Sequence, residues 1–274
     1  MIYPVPASVP ICPPLQLARQ SNGYLSFRSR GDGETVVFLH GLLGSSKSWA
    51  FQFDRLSRDY RMIAWDAPGY GQSEMVSASI EAFVEALREF IANIGQPKVS
   101  LVGHSMGGTV AACFAATFPD QVSRLVLSCS HPGYGDPETA PMSAKFESRM
   151  REFNEIGHAA YGVNRARDLL PDSVPACVFD YAAEVASETN PEGLRSATRM
   201  LQRADNRPLL PELKIPTLIL TGEMDTDVHP GLKADLLRLI PAARHVEMPG
   251  LGHAPYFEAP DYYTSLIEDF LSGK

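Results

Sequence analysis

At 274 residues, 45% hydrophobic and 20% charged, the chain has enough apolar surface for one sizeable core and is too apolar for a disordered segment. Its formal net charge of −8 excludes the broad basic footprint that binding a nucleic-acid backbone demands, and no apolar run approaches the ~18 residues of a membrane-spanning helix. Cys12, Cys113, Cys129 and Cys177 form no CxxC pair and no zinc-type Cys/His spacing, so free thiols in a reducing compartment are expected rather than a metal or disulfide framework.

The start, MIYPVPASVPICPP, has no basic region, and proline interrupts each apolar stretch; it reads as an extended surface segment and not as a signal peptide. A cytoplasmic protein follows as the expectation. Short β-branched and apolar runs then predict buried parallel strands: TVVFL at 35–39, RMIAW at 61–65, VSLV at 99–102, RLVL at 124–127, TLIL at 217–220 and RHVEM at 244–248. Helical periodicity fills the gaps at 80–94, 107–118, 232–240 and 262–271. Strand–helix alternation predicts an α/β chain with a mostly parallel sheet and helices on both faces. The rhythm breaks at 130–208, where helical patterns and prolines occur without a convincing strand. The expected organisation is a core from 1–129 and 209–274 with a helical cap, 130–208, inserted at the C-terminal edge of the sheet, where open α/β folds bind ligands.

The chemistry is carried by Gly103-His104-Ser105-Met106-Gly107, a G-x-S-x-G pattern. The pattern alone arises by chance in roughly one chain in ten of this length. Here an apolar strand runs into it and a small-residue helix, GGTVAA, runs out of it, the setting in which a tight turn lifts a serine hydroxyl above a sheet. A serine hydroxyl needs a base to take its proton. His253, in the glycine loop after the last predicted strand, is the candidate. Asp225, just past the strand that ends at Leu220, is the candidate acid, with Asp227 and Glu223 as rivals. The oxyanion donors expected are the backbone N–H groups of Met106, at a helix N-terminus, and of Leu42, in the loop after the first predicted parallel strand. No cofactor or metal is needed for this chemistry.

HGLLGS (40–45), DAPGYGQS (66–73), GHSMGG (103–108), TGEMD (221–225) and GLGHAPYFEAP (250–260) occur in that order. Over 23–271 the chain resembles the α/β-hydrolase superfamily, and the resemblance implies an eight-stranded, mostly parallel sheet with a cap domain. It also implies catalytic roles for Ser105, Asp225 and His253, and oxyanion roles for Leu42 and Met106. Family members commonly carry proline directly after the acid; here Thr226 follows and the proline is Pro230, which keeps Asp227 open as the acid. Haloalkane dehalogenases and epoxide hydrolases use an aspartate nucleophile, which Ser105 excludes. The bulky Trp that often follows the catalytic His in meta-cleavage C–C hydrolases is replaced by Ala254. HGLLGS and GHSMGG are similar to small-molecule carboxylesterases, while DNRP (205–208) and PTLILTGEMD resemble 3-oxoadipate enol-lactonases.

The reading is a serine hydrolase cleaving a small-molecule ester or related acyl bond through an acyl-enzyme. The alternatives are a C–C bond or enol-lactone hydrolase for a carboxylate-bearing substrate, and a ligand receptor on the same fold with little turnover. The acyl group, the leaving group and the oligomeric state stay open. Arg195, Arg199 and Arg203, spaced by four, share one helix face: either a solvated face or, with one turned inward, a carboxylate clamp. His131, after a strand end, is expected to line the pocket. Met142, Phe146, Met150 and Phe153 are expected to form the cap's apolar face.

Overall fold

The computed structural model describes residues 3–274. Its centre is one eight-stranded sheet in the order β1-β2-β4-β3-β5-β6-β7-β8, from β1 (Leu15–Gln20), β2 (Gly23–Arg30), β3 (Glu34–Leu39), β4 (Tyr60–Trp65), β5 (Val99–His104), β6 (Val122–Ser128), β7 (Thr217–Gly222) and β8 (Arg244–Met248). Every neighbouring pair from β4 to β8 is parallel, while β1–β2 and β2–β4 are antiparallel. The six predicted strands are present, and the resemblance to α/β-hydrolases supplied the right strand number. The hairpin of β1 and β2 escapes a search for continuous apolar runs because β1 is an edge strand with exposed positions. A two-residue loop, Ser21-Asn22, closes it where Gln20 pairs with Gly23, whose φ of 135° favours glycine.

The central strands are buried on both faces, so their side chains alternate between two cores. Val37, Leu39 and Leu101 join one apolar cluster; Val36, Phe38 and Val102 join the other. The first cluster is completed by α2 (Ile80–Asn93), α3 (Met106–Thr117) and α7 (Pro230–Leu239), the second by α1 (Ala50–Leu56), α8 (Pro255–Glu258) and α9 (Pro260–Leu271). Helix α2 shows the logic in small: the Ser79 hydroxyl accepts from the Ala82 N–H at its start, and Phe83, Val84, Leu87, Phe90 and Ile91 form its buried stripe. Residues 3–14 contain no helix or strand, Tyr3 stacking on Tyr262 of α9; Met1 and Ile2 lie outside the described residues.

Between β6 and β7 come α4 (Ala144–Leu169), α5 (Ala176–Ser187) and α6 (Pro191–Arg203), with no strand among them. Helix α4 breaks at Gly157, where φ is 76° and ψ 172°. Its first half carries Phe146 and Met150 into a small cluster with Leu194 of α6, separate from both sheet cores. Its second half, the adjoining Leu170 and α5 join the second core through Ala166, Leu170, Val178 and Ala182. Among the described residues no helix is long and apolar enough to cross a membrane.

Candidate active site

Ser105 stands between the end of β5 and the start of α3 with φ 51° and ψ −117°. A non-glycine residue in this region costs of order 1–3 kcal/mol and persists only where its surroundings force it. The glycines of the motif supply that force. A Cβ on Gly103 would lie 2.5 Å from the Gly107 carbonyl oxygen, one on Gly107 2.3 Å from the Leu39 carbonyl oxygen, and one on Gly108 2.4 Å from Ser130 Oγ. Helix α3 therefore sits on the strands at a distance that no larger side chain allows. The Ser130 hydroxyl donates to the Ser105 carbonyl at 2.7 Å and the Ser105 N–H donates to the Ser128 carbonyl at 2.9 Å, tying the turn to β6.

His253 Nε2 lies 3.1 Å from Ser105 Oγ, and its Nδ1 lies 3.0 Å from both oxygens of Asp225. Asp225 Oδ1 also accepts from the N–H groups of Asp227 at 2.9 Å and Val228 at 3.3 Å, which fixes the carboxylate from behind. The two rivals are placed elsewhere. Asp227 turns to Lys145 (3.3 Å) and Arg149 (3.5 Å) of α4, and Glu223 accepts from the Gly250 N–H at 2.7 Å. Burial alone depresses the pKa of His253, but its hydrogen bond to Asp225 and the charges of Asp225, Asp227 and Glu258 outweigh this and hold it above the ordinary imidazole value. Glu258 is a residue that sequence reasoning passed over. Its two oxygens accept from the N–H groups of Gly252 (2.7 Å) and Ala254 (2.9 Å), bracing the peptide on either side of His253. The signal was its place in GLGHAPYFEAP, one helical turn past the histidine.

The loop bearing Leu42 is braced by the DAPGYGQS segment. The Ala67 N–H donates to His40 Nε2 at 3.0 Å, so the ring proton sits on Nδ1 and is donated to the Gly41 carbonyl at 2.7 Å. That carbonyl also accepts from the Gly44 N–H at 3.1 Å, and it belongs to the same planar peptide as the Leu42 N–H. Two bonds to one end of the peptide thus aim the other. The Tyr70 hydroxyl donates to the Leu42 carbonyl at 2.9 Å, and Asp66 accepts from the Ser46 N–H at 2.7 Å. Burial lowers the pKa of His40, which keeps the ring neutral in this role. Neither Leu42 nor Met106 donates its N–H to an acceptor among the described residues.

Ser105, His253, Leu42 and Gly41 open onto a cavity of about 330 Å³ walled by α4, α5 and α6. His131 lines it, as expected from the sequence. Its Nδ1 accepts from the Gly133 N–H at 3.1 Å, leaving the proton on Nε2, and burial with the nearby His253 and Arg207 pushes its pKa down to about 4. Phe146 lines the cavity as well as packing within the insertion. The inward arginine clamp is corrected: Arg195, Arg199 and Arg203 do not line the cavity. Arg195 reaches Glu147 at 3.5 Å, Arg199 donates to the Ala140 carbonyl at 2.7 Å, and Arg203 donates to the Glu138 carbonyl at 3.0 Å. Arg199 and Arg203 pin the loop before α4 and Arg195 its first turn, because the opposite face of α6, with Leu194, Ala197 and Leu201, is the apolar one that must be buried. The cations that do line the cavity are Lys145, Arg149 and Arg165 of α4, whose direction no spacing in the sequence disclosed. Cys129 Sγ comes within 4.8 Å of the Asp225 and His253 donor atoms. Burial, and then the Asp225 charge, push its thiol pKa up.

Residues 34–260 match the α/β hydrolase fold family, and the chain belongs to it. Among its relatives, a protein named pimeloyl-(acyl-carrier protein) methyl ester esterase of Vibrio vulnificus is 29% identical over 265 residues, covering 91% of this chain and 98% of its own. A putative 2-succinyl-6-hydroxy-2,4-cyclohexadiene-1-carboxylate synthase of Bacillus subtilis is 27% identical over 251 residues, covering 88% and 91%. A thermophilic esterase from Thermogutta terrifontis superposes with a TM-score of 0.81 at 27% identity, over 94% of this chain and 98% of that one. The enol-lactonase of Burkholderia xenovorans shares the fold at a TM-score of 0.81 and 24% identity, over 94% and 100%.

Proposed function

We propose that the protein hydrolyses a small-molecule carboxylic ester through an acyl-enzyme on Ser105. The observation that carries this reading is the unbroken relay at the mouth of the cavity: Ser105 Oγ to His253 Nε2 at 3.1 Å, and His253 Nδ1 to Asp225 at 3.0 Å. His253 takes the hydroxyl proton as Ser105 Oγ attacks the ester carbonyl, and Asp225 stabilises the imidazolium that forms. The N–H groups of Leu42 and Met106 receive the oxyanion, each such donor lowering the barrier by about 3–4 kcal/mol. His253 gives its proton to the departing alkoxide, then takes one from water, which attacks the acyl-enzyme and releases the acid. The esterase names of the relatives from Vibrio vulnificus and Thermogutta terrifontis support the same bond class. In this reading 130–208 is the cap that selects the substrate, and 1–129 with 209–274 is the core that does the chemistry in a cytoplasmic enzyme.

A panel of p-nitrophenyl esters of rising acyl length, run beside an enol-lactone and a vinylogous dicarbonyl substrate, tests the reaction class. Ester turnover that vanishes in Ser105→Ala is the expected result; normal hydrolysis in that variant would falsify the mechanism. The second reading, enol-lactone or C–C cleavage with the same triad, draws on the synthase-named relative from Bacillus subtilis and wins if those substrates are preferred. Failure of a fluorophosphonate probe to label Ser105 would leave the ligand-receptor reading in its place.

A further inference from the structure

The cavity in front of Ser105 has two unlike ends. One is mainly apolar: Ala166 of α4, Leu170 just after it and Ala182 of α5 line it and belong to the same cluster as Phe257, which lines it from the core, with the paired Arg165 and Asp168 flanking Ala166. The other is polar and is built from the first turns of α4, the middle of α6 and the loop after β7. Lys145 and Arg149 lie four residues apart on α4, so they project from one face into the cavity. Among the described residues their acceptor is a single atom, Asp227 Oδ1, at 3.3 and 3.5 Å. Most of the Arg149 fork is therefore uncommitted. On α6, Thr198 and Gln202 are again four apart and line the cavity, and Thr198 Oγ1 and Gln202 Oε1 are buried without a hydrogen-bond partner. Gln202 is only 6% exposed, and its amide donates to the Pro141 carbonyl at 2.6 Å, just before α4, which fixes the orphan oxygen in place. The triad is close by, since Asp227 is two residues from Asp225 and donates its N–H to it.

We propose that the preferred ester joins an apolar half to a half bearing a carboxylate, and that Lys145 and Arg149 bind the carboxylate. The inference rests on the ester-hydrolase reading above. Arg149, with 23% of its side chain exposed, is the sheltered cation of the pair, and its guanidinium meets a carboxylate in the plane of both, while Lys145, 64% exposed, adds a charge that water screens. Arg165, also in the cavity wall, is committed already, with Glu152 at 2.9 Å and Asp168 at 2.8 Å. Asp136 lines the same rim, but it is exposed, and water screens its charge. Thr198 and Gln202 offer the polar half further hydrogen bonds, while the Ala166–Ala182 end takes the hydrocarbon half.

The test compares matched esters. Mono-p-nitrophenyl adipate against p-nitrophenyl hexanoate places the charge on the acyl half; 4-carboxyphenyl against 4-carbamoylphenyl hexanoate places it on the leaving half. In one of the two pairs the anionic member is expected to be favoured in kcat/KM by about tenfold or more, the effect of one charge-assisted contact. Arg149→Gln is expected to cut that ratio about tenfold and Lys145→Gln about threefold, whereas Asp227→Asn, which releases both cations, raises it. Arg203→Gln, outside the cavity, leaves the ratio as it was. The proposal is overturned if neither pair favours the anion, or if the preference survives in the Lys145→Gln/Arg149→Gln double variant. In those outcomes Ser105-dependent hydrolysis of the neutral esters leaves the ester-hydrolase reading standing. If folded wild-type protein hydrolyses none of the four, both readings fall together.

Discussion

The turn around Ser105 and the helical insertion opposite it are held by different forces. At the turn, backbone meets backbone: the hypothetical Cβ atoms of Gly103 and Gly107 run into main-chain oxygens at 2.5 and 2.3 Å, with no side chain that can step aside. In the insertion the first half of α4 is held through side chains, among them the Phe146–Met150–Leu194 cluster and the ion pairs of Lys145, Arg149 and Arg195. Close-packed main chain has one arrangement, whereas half-exposed ion pairs contribute little each and tolerate exchange. In the proposed reading, chemistry sits on the first kind of scaffold and selectivity on the second.

The sharpest break in that comparison is at the nucleophile. Ser105→Ala is expected to lower kcat by at least about 10⁴-fold with an unchanged melting temperature, because the triad acts as a unit. Next is the choice of acid. Asp225→Asn is expected to cost about 10³–10⁴-fold in kcat, since the amide no longer holds His253 in its working tautomer. Asp227→Asn is expected to cost under about tenfold, its carboxylate lying off the relay and bound to α4. The pH profile separates the two further. In the proposed mechanism His253 is a neutral base, and its pKa is raised above 6.5, so activity is expected to be lost as pH falls, with the acid limb of kcat/KM above pH 6.5. Asp227→Asn removes one of the negative charges that raise it, so the limb moves to lower pH; a limb that stays put would show that Asp227 does not act on His253.

Stability carries the comparison down to smaller effects. Gly107→Ala forces a methyl against the Leu39 carbonyl and is expected to cost about 3 kcal/mol, read from denaturant titration. Gly157→Ala meets no atom within 4 Å and carries only the penalty of its backbone angles, about 1–2 kcal/mol. Arg199→Ala loses one contact to the Ala140 carbonyl and is expected to cost under about 1 kcal/mol, with kcat/KM within about twofold. Equal losses at Gly107 and Gly157 would erase the distinction between the two regions.

Much of the core was legible along the chain because its constraints are local. Strands buried on both faces read as apolar runs, and a helix packed at glycine distance needs Gly103, Gly107 and Gly108 in sequence. What was harder to read depends on partners far apart. The β1–β2 hairpin hid because an edge strand mixes exposed and buried positions. Glu258 and Tyr70 lay inside quoted motifs, but their bonds to Gly252, Ala254 and Leu42 became visible only when the loops were set side by side. The four-residue spacing on α6 gave Arg195, Arg199 and Arg203 one face without saying which way it turned.

By itself the sequence determined the fold class, the turn that lifts Ser105 and a candidate order of serine, acid and histidine with Asp225 and Asp227 both open as the acid, since these follow from periodicity, glycine positions and chain order. Only the tertiary structure decided that Asp225 and not Asp227 faces His253, and that Lys145 and Arg149 rather than the α6 arginines look into the cavity. Both were settled by how a helix rolls to bury its apolar stripe and how a loop turns its carboxylates, and these depend on the surfaces that the rest of the chain presents.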